Sequence, residues 1–165
     1  MNPHVDEVCI EDIAQALSMN CRYSGHVSKF YSVAEHSVLI TKLVLEKTGD
    51  VHEAFSALLH DASEAYLTDI PRPIKPKLTN YFELEAIAEK VIQDKFNVQP
   101  MSDYVKYLDT HICGTEAVQL FLEIPEWTQD YDDIPIIVKN WTPKKAKKEF
   151  LIMFNFLQKE INDNN

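Results

Sequence analysis

At 165 residues the chain has the length of one domain, residues 1–165, and can bury a sizeable core. Its 45% apolar and 25% charged residues exclude a disordered chain, and three glycines are too few for a turn-rich sandwich or barrel, so helices are expected. Acidic residues number 26 against 16 basic, and the resulting charge of −10 excludes non-specific nucleic-acid binding through a positive surface.

Ile10 to Met19 predicts a short first helix, and Asn20 to Lys29, with Gly25 and few aliphatics, predicts a loop. Ser32 followed by Glu35 has the form of a capping box, in which each side chain satisfies the other residue's backbone N–H. A helix to about Lys47 follows, with Gly49 as its stop. Asp50 and Glu53 open a third helix that carries Ala54, Ala57 and Leu58 and ends near Glu64. Pro71, Pro73 and Pro76 then exclude a helix. Thr79 to Phe96 is helical again, and so is Ser102 to about Leu122, with an interruption at Gly114. Pro125 to Asn140 is a loop with one short extended piece at Ile134 to Val138. Thr142 and Pro143 start a last helix that buries Phe150, Phe154, Leu157 and Ile161 at helical spacing. The expected fold is a compact all-α bundle of about six helices.

Cys9, Cys21 and Cys113 are odd in number and form no CxxC pair, as expected of reduced thiols in a cytoplasmic protein. The first residues show neither the basic nor the apolar region of a secretion signal. No run of ~18 apolar residues occurs, so no membrane partner is expected.

Polar residues on apolar stripes carry the functional signal. His36 shares a helix face with Ile40 and Leu43. Ala57, His60, Asp61 and Glu64 lie at i, i+3, i+4 and i+7, and Val105, Leu108, Asp109 and Ile112 repeat that spacing. Each residue alone has a plainer role: a hydrogen-bonded core histidine, a chance His-Asp pair, a cap or surface ion pair. Together they place two histidines and two aspartates inward from three helices. Buried carboxylates are costly unless paired, and a divalent cation held by His36, His60, Asp61 and Asp109 would offset that cost.

With these residues in view, the chain resembles the HD-domain phosphohydrolases, whose signature runs H…HD…D. Arg22 to His26, Tyr31 to Ser37, and His60 to Tyr66 continuing through Asp69-Ile70-Pro71 are similar to one compact subgroup. That subgroup comprises bacterial 5′-deoxynucleotidases and bacteriophage proteins, including dATP triphosphohydrolases. The resemblance covers about Asn20 to Asp109.

The resemblance implies that His36, His60, Asp61 and Asp109 bind one divalent transition metal, with Zn, Co or Mn expected. That ion would bind the α-phosphate and activate water. It would also supply positive charge that the net charge of −10 withholds. Glu64 would orient the water or take its proton. Asp69 would protonate the leaving 5′ oxygen or hold a second divalent ion. Arg22 matches a phosphate-binding arginine, and Tyr23 a position beside the sugar where an aromatic excludes a ribose 2′-hydroxyl. The nucleotidases more often have Trp there. Arg72, Lys75 and Lys77 form a cationic segment suited to outer phosphates, whereas Lys144, Lys145, Lys147 and Lys148 read as a solvated helix face.

The implied activity is hydrolysis of a 2′-deoxynucleotide between the 5′ oxygen and the α-phosphorus. A dNTP such as dATP would give deoxynucleoside and triphosphate; the alternative substrate is a dNMP. A non-catalytic nucleotide-binding HD module is a further alternative. The expected partner is a small-molecule deoxynucleotide, and a homo-oligomer is expected from the resemblance.

Overall fold

The computed structural model describes residues 3–164. Among these residues every regular element is helical: α1 (Ile10–Met19), α2 (Val33–Thr48), α3 (Val51–Leu59), α4 (Glu64–Leu67), α5 (Tyr81–Phe96), α6 (Asp103–Leu120) and α7 (Pro143–Asp163). Six are long and α4 is a single turn, so the expected all-α bundle is the observed one. α7 packs on α1, α2 and α3, and its Phe150, Phe154 and Leu157 enter a core that also takes Ile13, Leu17, Ile40, Leu58 and Ile112. α2 is the central element, and eleven of its residues are buried, including Glu35, His36 and Ser37. No described helix is long and apolar enough to cross a membrane.

The helix ends follow local chemistry. The side chains of Ser32, Asp50, Ser102 and Thr142 each accept a backbone N–H three residues on, from Glu35, Glu53, Val105 and Lys145. Gly49 ends α2 in a left-handed conformation, φ 67°. The Ser32 capping box is only half formed, because the Glu35 side chain turns away from the cap. It accepts the backbone N–H groups of Lys139, Asn140 and Trp141 at 2.7, 3.0 and 2.6 Å. One buried carboxylate thus pins the segment before α7 to the central helix, and burial still holds its pKa above the usual value.

Three further expectations are corrected. The third helix stops at Leu59, and the chain passes through a tight turn to α4 instead of running to Glu64. Helix α6 runs unbroken through Gly114, where a Cβ would stand 2.8 Å from the Tyr131 Cβ and 3.3 Å from the Thr128 carbonyl oxygen. The glycine is there for close approach, and not as a stop. Ile134 to Val138 forms no strand, because side chains of α6 take its backbone groups. Thr115 Oγ1 accepts from Ile134 N–H, Gln119 Oε1 accepts from Val138 N–H, and Gln119 Nε2 donates to the Ile136 carbonyl.

Candidate metal centre

His36, His60, Asp61 and Asp109 meet between α2, the turn after α3, and α6. One ligand atom from each lies within 4.8 Å of all the others. A shell of ligands at about 2.0–2.2 Å from an ion has a similar span. His60 (φ −60°, ψ −38°) and Ser63 (φ −62°, ψ −26°), at the two ends of the turn, retain helical dihedrals. The turn is tighter than the helix, with Ala62 N–H donating to the Leu59 carbonyl and Glu64 N–H to the Asp61 carbonyl, and it still delivers His60 and Asp61 to the cluster.

Both imidazoles are fixed from behind. His36 Nδ1 lies 2.6 Å from Glu116 Oε1, and His60 Nδ1 lies 2.7 Å from the Ala57 carbonyl oxygen. A carbonyl oxygen only accepts, so Nδ1 carries the proton in His60, and the Glu116 carboxylate draws it to Nδ1 in His36. Each Nε2 then presents a lone pair into the cluster. Both Nε2 atoms are buried and make no hydrogen bond among the described residues. Carboxylate oxygens of Asp61 and Asp109 approach them at 3.1–3.6 Å, off the line of a hydrogen bond. Two fixed imidazole lone pairs beside two carboxylates fit a divalent cation. This cluster can hold a metal ion.

Without an ion the two carboxylates favour a proton on His60 Nε2, which a bound cation would displace. Burial disfavours the His60 imidazolium, yet Asp61 and Asp109 outweigh it and hold the His60 pKa well above its ordinary value. Burial raises the Asp61 carboxyl, but His60 beside it brings the pKa down to about 2. Asp109 lies well below its ordinary value because His36 and His60 overcome the same burial. Glu64 moves the other way, pushed up to about 9 by burial and by repulsion from Asp61 and Asp69. A cation held by Asp61 would cancel part of that repulsion.

A cavity of about 470 Å³ opens on this cluster, lined by Arg22, Tyr23, Asp61, Glu64, Asp69, Ile70, Pro71, Arg72, Pro73, Lys75, Asp109, Cys113, Trp127 and Tyr131. Eight of the eleven site residues singled out in the sequence line it; His36 and His60 lie behind Asp61 and Asp109, and Lys77 is elsewhere. Arg22 and Tyr23 arrive on a loop closed at its base by the bridge between Cys21 and Ser32 and by the Arg22 N–H bond to the Tyr31 carbonyl. Tyr23 (φ 57°) and Ser24 (φ 51°) are left-handed, a strained conformation for side chains of this kind. Thr68 (φ 64°, ψ 160°) occupies a region otherwise nearly restricted to glycine, immediately before Asp69. Such strain persists only where the surrounding contacts fix it.

The cationic segment divides. Arg72 donates to Asp109 Oδ2 at 2.7 Å, and Lys75 donates to Glu85 Oε1 at 3.0 Å with Glu64 Oε1 at 3.9 Å. Lys77 is exposed and does not line the cavity.

Sequence reading missed Glu116. This fully buried carboxylate accepts from Tyr23 Oη and Tyr31 Oη, each at 2.7 Å, holds His36 Nδ1, and lies 3.3 Å from Arg22 Nε. Burial raises its pKa, but Arg22 and His36 prevail and hold it at about 2. Its signal was available, because Glu116 follows Asp109 by seven positions on the same face of α6.

The chain is 43% identical over 131 residues to the uncharacterized protein YfdR of Escherichia coli, an alignment that covers 79% of this chain and 71% of YfdR. The chain belongs to the YfdR family. An uncharacterized Rhodobacter capsulatus protein, RCAP_rcc00048, is 32% identical to this YfdR-family chain over 130 residues, covering 73% of it and 66% of the relative. No family model matches the chain.

Proposed function

We propose that this protein is a metal-dependent phosphohydrolase that cleaves 2′-deoxynucleotides between the 5′ oxygen and the α-phosphorus. One observation carries the reading: two imidazoles locked at Nδ1 aim unpartnered Nε2 atoms at two aspartates, on the wall of a cavity that also holds Arg22 and Glu64. The resemblance to HD-domain phosphohydrolases supports it. A divalent ion held by His36, His60, Asp61 and Asp109 supplies a Lewis acid for phosphoryl oxygen and raises the acidity of water.

The chain's own residues supply the rest. Water adds at the α-phosphorus, the bond to the 5′ oxygen breaks, and that oxygen leaves as a hydroxyl. The water loses one proton and the 5′ oxygen gains one. Glu64, buried with Oε2 free of any hydrogen bond among the described residues, orients the water, and it takes the first proton once a cation at Asp61 has relieved the repulsion that helps keep it protonated. Asp69, half-buried on the same wall, supplies the second. Arg22 offers its planar fork to phosphate oxygens from a position fixed by Glu116. Tyr23, tethered through its hydroxyl, crowds the sugar and disfavours a 2′-hydroxyl.

Two substrates use this chemistry. Arg72 and Lys75 on the wall support a dNTP such as dATP, whose outer phosphates need cations. Their ion pairs with Asp109 and Glu85 favour a dNMP, which needs none. The deciding experiment incubates the metal-loaded protein with dNMPs, dNTPs and rNTPs and identifies products by chromatography. Turnover of a deoxynucleotide well above its ribonucleotide supports the proposal; equal rates or no turnover defeat it.

In the same assay Glu64→Gln should lower kcat by roughly 100-fold or more while metal content stays at the wild-type level. Wild-type kcat in that variant would remove Glu64 from the reaction. Replacing Arg72 and Lys75 together with Ala should lower kcat/KM for dATP by roughly 10- to 100-fold and change dAMP turnover far less. Equal losses on both substrates would mean that the segment is structural.

A further inference from the structure

One part of the cavity takes no share in this chemistry. Beyond the charged residues its walls are apolar, supplied by Ile70, Pro71 and Pro73 from one segment and by Trp127 and Tyr131 from another. Trp127 lies in the short helical turn Glu126–Asp130, and Tyr131 follows it directly. Trp127 remains 38% exposed although it is held edge-on by Phe121 at 6.3 Å and by Tyr131 at 5.8 Å. Phe121 in turn meets Tyr23 edge-on at 5.3 Å. An aromatic row thus runs from the tyrosine assigned to the sugar to a half-open tryptophan on the cavity wall.

The turn is seated by design of the helix beneath it. Glycine inside a helix is unfavourable relative to alanine. Yet α6 carries Gly114 where any Cβ would press on the Tyr131 Cβ at 2.8 Å. That contact fixes how closely the turn sits on α6, and so where Trp127 and Tyr131 stand relative to Asp109 on the same helix.

We propose that the turn bearing Trp127 and Tyr131 is the specificity element of this site. It takes the planar base of the nucleotide against its aromatic side chains and selects by stacking area, favouring purines over pyrimidines. The charged groups on the cavity wall are committed to the metal, phosphate and proton roles above, which leaves stacking as the means of holding the base. This inference rests on the deoxynucleotide reading, so its test includes an arm that needs no hydrolysis.

In the binding arm, 2′-deoxyadenosine is added to the full-length protein and tryptophan fluorescence is followed, with 2-deoxyribose 5-phosphate as the probe without a base. Deoxyadenosine should quench the wild type, and the quench should vanish in Trp127→Phe, which leaves Trp141 as the fluorophore. Isothermal titration with Trp127→Ala should show deoxyadenosine affinity weakened by roughly 5- to 100-fold, the range set by base–aromatic stacking. Gly114→Ala, which displaces the turn and leaves every lining side chain intact, should weaken it in the same direction.

In the kinetic arm, Trp127→Ala should raise KM for purine deoxynucleotides by a similar factor, raise it less for pyrimidines, and leave deoxyribose phosphate unaffected. Thermal unfolding confirms that each variant is folded. Unchanged deoxyadenosine affinity in both Trp127→Ala and Gly114→Ala would overturn the proposal. So would deoxynucleotide turnover with unchanged KM in Trp127→Ala, and the reaction would still stand. A Trp127-dependent quench without hydrolysis of any nucleotide keeps the aromatic wall and rejects the phosphohydrolase.

Discussion

Asp61→Ala should leave a protein that neither retains its metal nor hydrolyses deoxynucleotides. Asp61 Oδ2 stands 3.1 Å from His60 Nε2, 3.5 Å from His36 Nε2 and 3.4 Å from Arg22 Nη1. One carboxylate therefore joins both imidazoles to Arg22. Its removal would take one of the four candidate ligands and one of the two negative charges available to balance an ion. Loss of Lewis-acid stabilisation worth several kcal/mol corresponds to a rate decrease on the order of a thousandfold or more. Metal analysis of the purified variant should fall from about one transition-metal ion per chain to none, and excess chelator should do the same to the wild type. Full activity in chelator, or in the variant, would refute the metal centre.

The same substitution changes acid stability with a definite sign. Asp61 is held at about 2 in the folded protein, below its ordinary 3.8, so its contribution is complete above that ordinary value and is lost as pH falls toward 2. His60 acts oppositely. Its folded pKa is raised, so its contribution is complete below its ordinary 6.5 and is lost as pH rises through the folded value. Metal-free Asp61→Ala should lose part of both slopes, because each group is the other's partner. Denaturant unfolding across pH measures them.

The sequence revealed some of these residues more directly than others, and geometry explains the difference. His36 and Asp109 sit on unbroken helices, where a spacing of three or four residues reports a shared face. His60 and Asp61 were placed by treating α3 as continuous to Glu64, whereas the helix ends at Leu59. The inference holds because His60 and Ser63, at the two ends of the intervening turn, keep helical dihedrals. Glu35 was legible as a cap partner but not as the acceptor for backbone N–H groups more than 100 positions away. No local pattern encodes such a pairing.

The cations of the Pro71 to Lys77 segment show the same limit. Counted along the chain, Arg72, Lys75 and Lys77 are three free charges. In space the first is bound to Asp109, the second to Glu85, and the third lies outside the cavity. Trp127 and Tyr131 were invisible for another reason: they occupy a turn without periodicity, and Gly114, the residue that seats them, reads in sequence as a helix interruption.

Glu116→Gln should produce the largest loss of stability of any single substitution at the site. The glutamate is completely buried and serves four groups at once: His36, Tyr23, Tyr31 and Arg22. Glutamine keeps the shape but removes the charge that neutralises a buried guanidinium and places an amide among donors. Breaking one side of a buried ion pair costs about 3–5 kcal/mol. Tyr31→Phe, which removes a single hydrogen bond from the same carboxylate, should cost about 1 kcal/mol and serves as the graded control. Metal affinity should fall by roughly 10- to 100-fold in Glu116→Gln, because His36 loses the partner that fixes its tautomer and ring. Acid unfolding supplies an independent readout. With Glu116 at about 2 in the folded protein against an ordinary 4.5, its stabilisation is present above 4.5 and disappears as pH falls toward 2. The variant should therefore show a flatter acid limb than the wild type as well as lower stability at neutral pH. Wild-type stability, acid slope and metal affinity in Glu116→Gln would mean that Arg22 and His36 are positioned by something else. A stability loss with unchanged metal affinity would confine Glu116 to the core and leave His36 to be oriented by α2 alone.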